Sequence, residues 1–203
     1  MRDWPAKPVP LYKRAIFLDR DGTINVDTHY PHLVEELVII PRAIDGLKIL
    51  DRLPFHIIVV SNQSGIPLGF FTREQMSGFN EELRSRVHHA GGRIDAFYYC
   101  PHLEPRQLPL NAQPCECSKP SPGMLLESAK DFGLNLSESL FIGDKSSDIA
   151  AGEAVGCTTV LVKTGKAGKE EGALAVEPNY VSDDLYEAAL VVRSLVRGAA
   201  AQH

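Results

Sequence analysis

Five short apolar runs recur along the chain, at residues 15–18, 57–60, 96–99, 140–142 and 158–162, with a briefer one at 180–181. None alternates apolar with polar. Such continuous runs predict strands buried on both faces of a parallel sheet. The segments between them carry apolar residues at helical spacing. Residues 41–53 place Ile44, Leu47 and Leu50 on one stripe. Residues 72–90 open with the capping-box pair Thr72 and Gln75 and align Met76, Phe79, Leu83 and Val87. Further helices are expected from about 122 to Gly133 and from 147 to Gly156, each closed by its glycine. A last helix, capped by Ser182 or Asp183, should run to about Arg197, before a frayed tail at 198–203. Strands alternating with helices predict an α/β fold, a three-layer α/β/α sandwich with a mainly parallel sheet.

One stretch does not fit this alternation. Residues 101–122 have no periodicity and four prolines before Ser118, and a loop of that length needs something to hold it. Cys100-Pro101-His102 and Cys115-Glu116-Cys117, twelve residues apart, offer three thiolates and one imidazole. That is a closed tetrahedral zinc set with no open position, so the expected site is structural rather than catalytic. Zinc bound there would order the loop and place Lys119, two residues after the last ligand. Disulfide or redox use of Cys115 and Cys117, or incidental thiols, are the alternatives. Cys157 reads as a small buried hydrophobe, and His29, His32, His56, His88 and His89 as ordinary surface or core histidines.

The ends of the apolar runs hold the candidate chemistry. Asp19-Arg20-Asp21-Gly22-Thr23 follows the first run directly. Two carboxylates at the end of a buried strand are costly unless neutralised, and a divalent cation with a phosphate would do so. Extended backbone points residues 19 and 21 the same way. Ser61-Asn62-Gln63-Ser64 follows the second run, where a hydroxyl and free turn amides could meet phosphate oxygens, although a plain strand-ending turn reads equally well. Lys119 could serve as a fixed point charge on a phosphoryl group or be a solvated surface lysine. Gly143-Asp144-Lys145-Ser146-Ser147-Asp148 follows the fourth run. Asp144, Asp19 and the main-chain carbonyl of Asp21 would supply oxygen ligands for Mg2+, and Asp148 is either part of this chemistry or a helix-capping carboxylate.

Composition narrows the field. The chain of 203 residues, 44% hydrophobic and 23% charged, suits a single domain over 1–203 with a loop insertion near 100–118. A net charge of −5 argues against a nucleic-acid surface, and no apolar run is long enough to span a membrane. Lys166, Lys169, Glu170 and Glu171 read as a solvated loop. Residues 1–13, with charges and three prolines but no apolar core, do not read as a secretory signal, so a cytoplasmic monomer is expected.

The order acidic pair, hydroxyl, lysine, acidic residue resembles the haloacid dehalogenase (HAD) superfamily of phosphohydrolases over roughly residues 14–165. That resemblance implies a Rossmann-like, HAD-like core without a large cap domain. It also implies a magnesium-dependent mechanism in which Asp19 is the nucleophile and forms an aspartyl-phosphate. Asp21 would be the general acid and base, and Ser61 and Lys119 would stabilise the phosphoryl group. Asp21 should then have a raised pKa, to start as an acid. The Cys-Pro-His and Cys-x-Cys pairs with Lys119-Pro120-Ser121-Pro122-Gly123-Met124 are similar to those of the heptose-bisphosphate phosphatases, and the twelve-residue spacer favours that branch over the histidinol-phosphate phosphatases. By the same resemblance a small phosphorylated sugar is the substrate, with Asp27, Thr28, His29, Tyr30, Ser61, Asn62, Gln63, Ser64, Ser118, Lys119 and Lys145 around it. Ser118 stands where that family commonly has an arginine. A zinc-stabilised phosphate-binding module without catalysis is the non-enzymatic alternative.

Overall fold

The run at 15–18 shows no alternation because it forms β2 (Ala15–Leu18), a central strand whose four residues are all fully buried. The computed structural model describes residues 2–3 and 12–200. The other strands are β1 (Arg2–Asp3), β3 (His56–Asn62), β4 (Ala96–Cys100), β5 (Leu140–Gly143), β6 (Thr158–Val162) and β7 (Tyr180–Ser182), in a seven-stranded sheet ordered β1-β4-β3-β2-β5-β6-β7. All pairings are parallel except that of β1 with β4. Side chains alternate between two cores. Ile16 and Leu18 face α1 (Ala43–Asp51), α2 (Arg73–His89) and α5 (Leu185–Ala200), whereas Ala15 and Phe17 face α3 (Gly123–Phe132) and α4 (Ser146–Glu153). This is the expected three-layer α/β/α sandwich of the HAD-like fold.

The chain departs from expectation in a few places. β1 is an antiparallel edge pair, Arg2 opposite Tyr98 and Asp3 opposite Phe97, too short to carry a hydrophobic pattern. α4 ends at Glu153, and Gly156, with φ of 77°, closes the turn that follows rather than the helix. α5 is capped by neither Ser182 nor Asp183. Ser182 ends β7, Asp183 pairs with Lys163 at 2.8 Å, and Asp184 Oδ1 accepts the Glu187 amide at 2.9 Å, because only that carboxylate reaches the amide three residues on. The helix continues to Ala200, through half of the tail expected to fray. The remaining tail residues 201–203, and most of the segment read as lacking a secretory signal, lie outside the described residues. Thr72 caps α2 as expected, accepting from Gln75 N, and Gly133 closes α3 with φ of 66°. Among the described residues no helix is long and apolar enough to cross a membrane.

From β2 the chain proceeds to β3 and β4 on one side, then returns to β5 and β6 on the other. The sheet order therefore reverses at β2, and a crevice opens at the carboxyl ends of β2, β3 and β5, where open α/β sheets bind ligands.

Candidate active site

Asp19 leaves β2 with its amide still donating to Ile142 O of β5 at 3.0 Å, so the carboxylate is fixed by the sheet. It is 3% exposed. Asp144, just past β5, and Asp148, in the first turn of α4, are fully buried beside it, and one carboxylate oxygen from each of the three lies within 4.8 Å of the others. Lys119 answers part of this charge. Its Nζ is 2.6 Å from Asp19 Oδ1, 2.7 Å from Asp148 Oδ1 and 2.9 Å from Val60 O, at 3% exposure. Lys119 is thus not a surface lysine. Its backbone is clipped to β3 by Asn62, whose side chain donates to Lys119 O at 3.1 Å and accepts from Lys119 N at 3.0 Å.

Burial pushes the Asp19 carboxyl up, with Lys119 opposing and Asp148 adding to the rise. Burial likewise pushes Asp144 up, to about 8, with repulsion from Asp19 and Asp148. Burial would lower Lys119, yet Asp148 and Asp19 outweigh it and its pKa rises. Lys145 rises in the same way, carried by Asp19, Asp144, Asp148 and Asp27 against its desolvation. Positive charge is missing from this cluster. Asp144 Oδ1 is buried without a hydrogen-bond partner, and hard carboxylates gathered around such an oxygen suit a divalent cation. The backbone makes room for them: a Cβ at Gly22, whose φ is 94°, or at Gly165, with φ of 64°, would collide with the Asp144 carboxylate.

Asp21 differs from expectation. Arg20, 1% exposed, folds back and grips it with Nε on Oδ1 and Nη2 on Oδ2, both at 2.9 Å, while Asn25 donates to Oδ1 at 2.9 Å and Gln63 to Oδ2 at 3.3 Å. Burial pushes its carboxyl up, but the Arg20 charge and the hydrogen bonds from Arg20 and Asn25 win, so its pKa is lowered rather than raised. Arg20 is itself locked by Asn80 at 2.9 Å and lies over the Phe79 ring.

A cavity of about 540 Å³ opens over these groups, lined among others by Asp19, Asp21, Asp27, His29, Tyr30, Ser61, Asn62, Gln63, Ser64, Lys119 and Lys145. Two expected residues are absent from it. Thr28 is exposed but does not line it, and Ser118 is fully buried, its hydroxyl without a hydrogen-bond partner. The segment read as a solvated loop instead forms a wall: Lys166, Lys169, Glu170 and Glu171 line the cavity, Lys166 N donates to Asp144 Oδ2 at 2.7 Å, and Glu170 accepts from Ser146 N at 2.6 Å. Asp148 accepts the Lys145 amide at 3.0 Å, so it both caps α4 and faces Lys119. Arg20 and Asn25 do not stand out from ordinary polar residues in the sequence, whereas both roles the sequence left open for Asp148 are taken up. The one available signal was the arginine flanked by two aspartates.

Outside the cavity lining, Cys100, His102, Cys115 and Cys117 converge. Cys100 Sγ is 3.0 Å from Cys117 Sγ and 3.3 Å from Cys115 Sγ, and His102 Nδ1 is 3.2 Å from Cys117 Sγ. All four cysteines are free thiols. Three sulfurs and an imidazole are soft donors that fit zinc. Cys157 lies apart, buried, its thiol pushed up to about 12 by burial.

The HAD-hydrolase-like family model matches residues 116–188. D-glycero-β-D-manno-heptose-1,7-bisphosphate 7-phosphatase of Pasteurella multocida is 36% identical over 184 residues, 90% of this chain and 98% of its own length. The chain belongs to the HAD-like phosphatases. The enzyme of the same name from Escherichia coli K12 is 41% identical over 79% of this chain and 83% of its own length. The crystal structure of the D,D-heptose 1,7-bisphosphate phosphatase of B. bronchiseptica, complexed with magnesium and phosphate, superposes with a TM-score of 0.78 at 27% identity, covering 89% of this chain and 98% of that one. This HAD-like phosphatase is accordingly a phosphoric monoester hydrolase.

Proposed function

We propose that the enzyme removes the 7-phosphate of D-glycero-D-manno-heptose 1,7-bisphosphate through an aspartyl-phosphate on Asp19, the whole chain acting as one domain with a zinc-tied loop. The observation that carries the mechanism is the state of the Asp19 carboxylate. One oxygen is held by Lys119 Nζ at 2.6 Å, and the other is buried and unpartnered. A carboxylate pinned at one oxygen presents the other as a nucleophile of fixed direction. The names of relatives at 36% and 41% identity support the substrate.

In the first step Asp19 Oδ2 forms a bond to phosphorus as the bond from phosphorus to the sugar oxygen breaks, and Asp21 gives that oxygen its proton. In the second step water attacks phosphorus, the bond to Asp19 breaks, and Asp21 takes the proton that it delivers in the next turnover. Arg20 favours the ionised form of Asp21, the form the second step requires. Lys119 and the Ser61 hydroxyl, which accepts from Gln63 Nε2 at 2.6 Å and keeps its own proton to donate, would balance charge on the phosphoryl oxygens. Asp19, Asp144 and the Asp21 main-chain carbonyl would hold magnesium, which when bound neutralises phosphoryl charge. Cys100, His102, Cys115 and Cys117 would hold a structural zinc.

Initial rates of phosphate release from heptose 1,7-bisphosphate, fructose 1,6-bisphosphate and histidinol phosphate test the reading. The expected kcat/KM for the heptose exceeds the others by at least about tenfold. A higher value for histidinol phosphate overturns the substrate, and phosphate release by Asp19→Asn overturns the covalent mechanism.

A further inference from the structure

Tyr30 lines the cavity, and it is held in an unusual way. It and His29 both adopt left-handed backbone, with φ of 64° and 65°, a conformation that side-chain-bearing residues sustain only where their surroundings enforce it. Two contacts provide that enforcement. The ring packs on Phe70, centroids 5.0 Å apart, and the hydroxyl meets Gln107 Nε2, from the loop between the two halves of the cysteine–histidine cluster, at 3.0 Å.

The polarity of that last bond is fixed from outside. Glu104 N can only donate, and it donates to Gln107 Oε1 at 2.9 Å. The carbonyl end of the Gln107 amide is therefore committed to the backbone, and its NH2 end must face Tyr30. The phenol consequently accepts from Gln107, and its own proton is left for a partner in the cavity. Gln107 does not line the cavity itself.

We infer that Gln107 is a positioning residue for substrate specificity: by donating to Tyr30 it turns the phenol into a one-way donor aimed at an acceptor oxygen of the bound sugar phosphate, a hydroxyl or the phosphate that is not cleaved. Gln107 thereby contributes to substrate choice without touching substrate, from a loop whose Glu104, Pro105 and Arg106 line the cavity. This inference rests on the phosphatase reading above, and the two fail separately: the reading fails in the wild-type enzyme, the inference only in variants.

The test compares KM and kcat on heptose 1,7-bisphosphate and on p-nitrophenyl phosphate, which lacks the sugar. Gln107→Glu keeps an acceptor for Glu104 N but makes the phenol donate back to the loop, and Tyr30→Phe removes the proton altogether. Each is expected to raise KM for the heptose about tenfold, the worth of one directed hydrogen bond, with a smaller change in kcat and a rise below about threefold in KM for p-nitrophenyl phosphate. The double variant should be no worse than Tyr30→Phe alone. Gln107→Leu, which frees the phenol to rotate without adding charge, should raise KM by about threefold and decides the matter if Gln107→Glu fails to fold. The inference is overturned if Gln107→Glu and Gln107→Leu leave KM for the heptose within the error of wild type. It is equally overturned if the double variant is far worse than Tyr30→Phe, since the added charge then acts independently of the phenol.

Discussion

The carboxylate and the cysteine–histidine clusters are opposite solutions to gathering ligands. The carboxylates of Asp19, Asp144 and Asp148 sit on the ends of sheet strands and the first turn of a helix, within 3% of complete burial. The thiolates of Cys115 and Cys117 and the imidazole of His102 are half-buried or exposed, on a loop whose described regular structure is limited to a single turn at Pro105–Gln107. In the first cluster the scaffold imposes proximity on groups that repel one another, so the protein stores electrostatic cost at the place where charge is to be handled. In the second, three of the four donors hang on a loop, Cys100 at the end of β4 being the exception, and a metal bound there would tie that loop down.

The sharpest way to break this contrast is at the nucleophile. Asp19→Asn should cut kcat by at least about a thousandfold while the fold persists, as read by phosphate release and thermal melting. Next comes the scaffold's cost. Asp148→Asn leaves Lys119 with one carboxylate instead of two and should destabilise the fold by about 3 kcal/mol, lowering Tm by roughly 6–12 °C; an unchanged Tm would mean the pair is electrostatically idle. Cys117→Ser should abolish zinc binding measured by metal analysis and expose the loop to protease, yet lower phosphate release from p-nitrophenyl phosphate by less than about tenfold. A complete loss of activity would show that the two clusters are not separable.

The smallest effect concerns pH. Asp144 has its folded pKa raised to about 8, so its contribution to stability is fully present below the unfolded value of 3.8 and is lost as pH rises through about 8. Metal-free protein should therefore lose stability across that window. Magnesium should restore it, by about 2.7 kcal/mol at a hundred times its Kd, with a larger Tm shift at pH 8.5 than at pH 5. Equal shifts at both would place the ion elsewhere.

Much of this was legible in the chain itself. Continuous apolar runs located six strands to within two residues because both faces of the sheet are covered, and the motif residues at the strand ends do meet over one cavity. Local pattern is silent on distant partners: Lys119 reaches Asp19 across 100 positions, a meeting that only the family resemblance implied, and Asp148 meets it from another layer. The direction of the Asp21 shift was misjudged because its neighbour Arg20 turns inward instead of into solvent, held there by Asn80 from α2. Ser118 and Lys119 are adjacent and both buried, yet only Lys119 lines the cavity.

The reciprocal bonds between Asn62 and the backbone of Lys119 have an evolutionary corollary. They rivet the essential cation to the sheet, so residues 103–114 can lengthen, shorten or change composition without moving it. A lineage could thus retune which molecules are admitted while leaving the bond-breaking apparatus untouched, and the stretch of chain hung between His102 and Cys115 is where such divergence should accumulate.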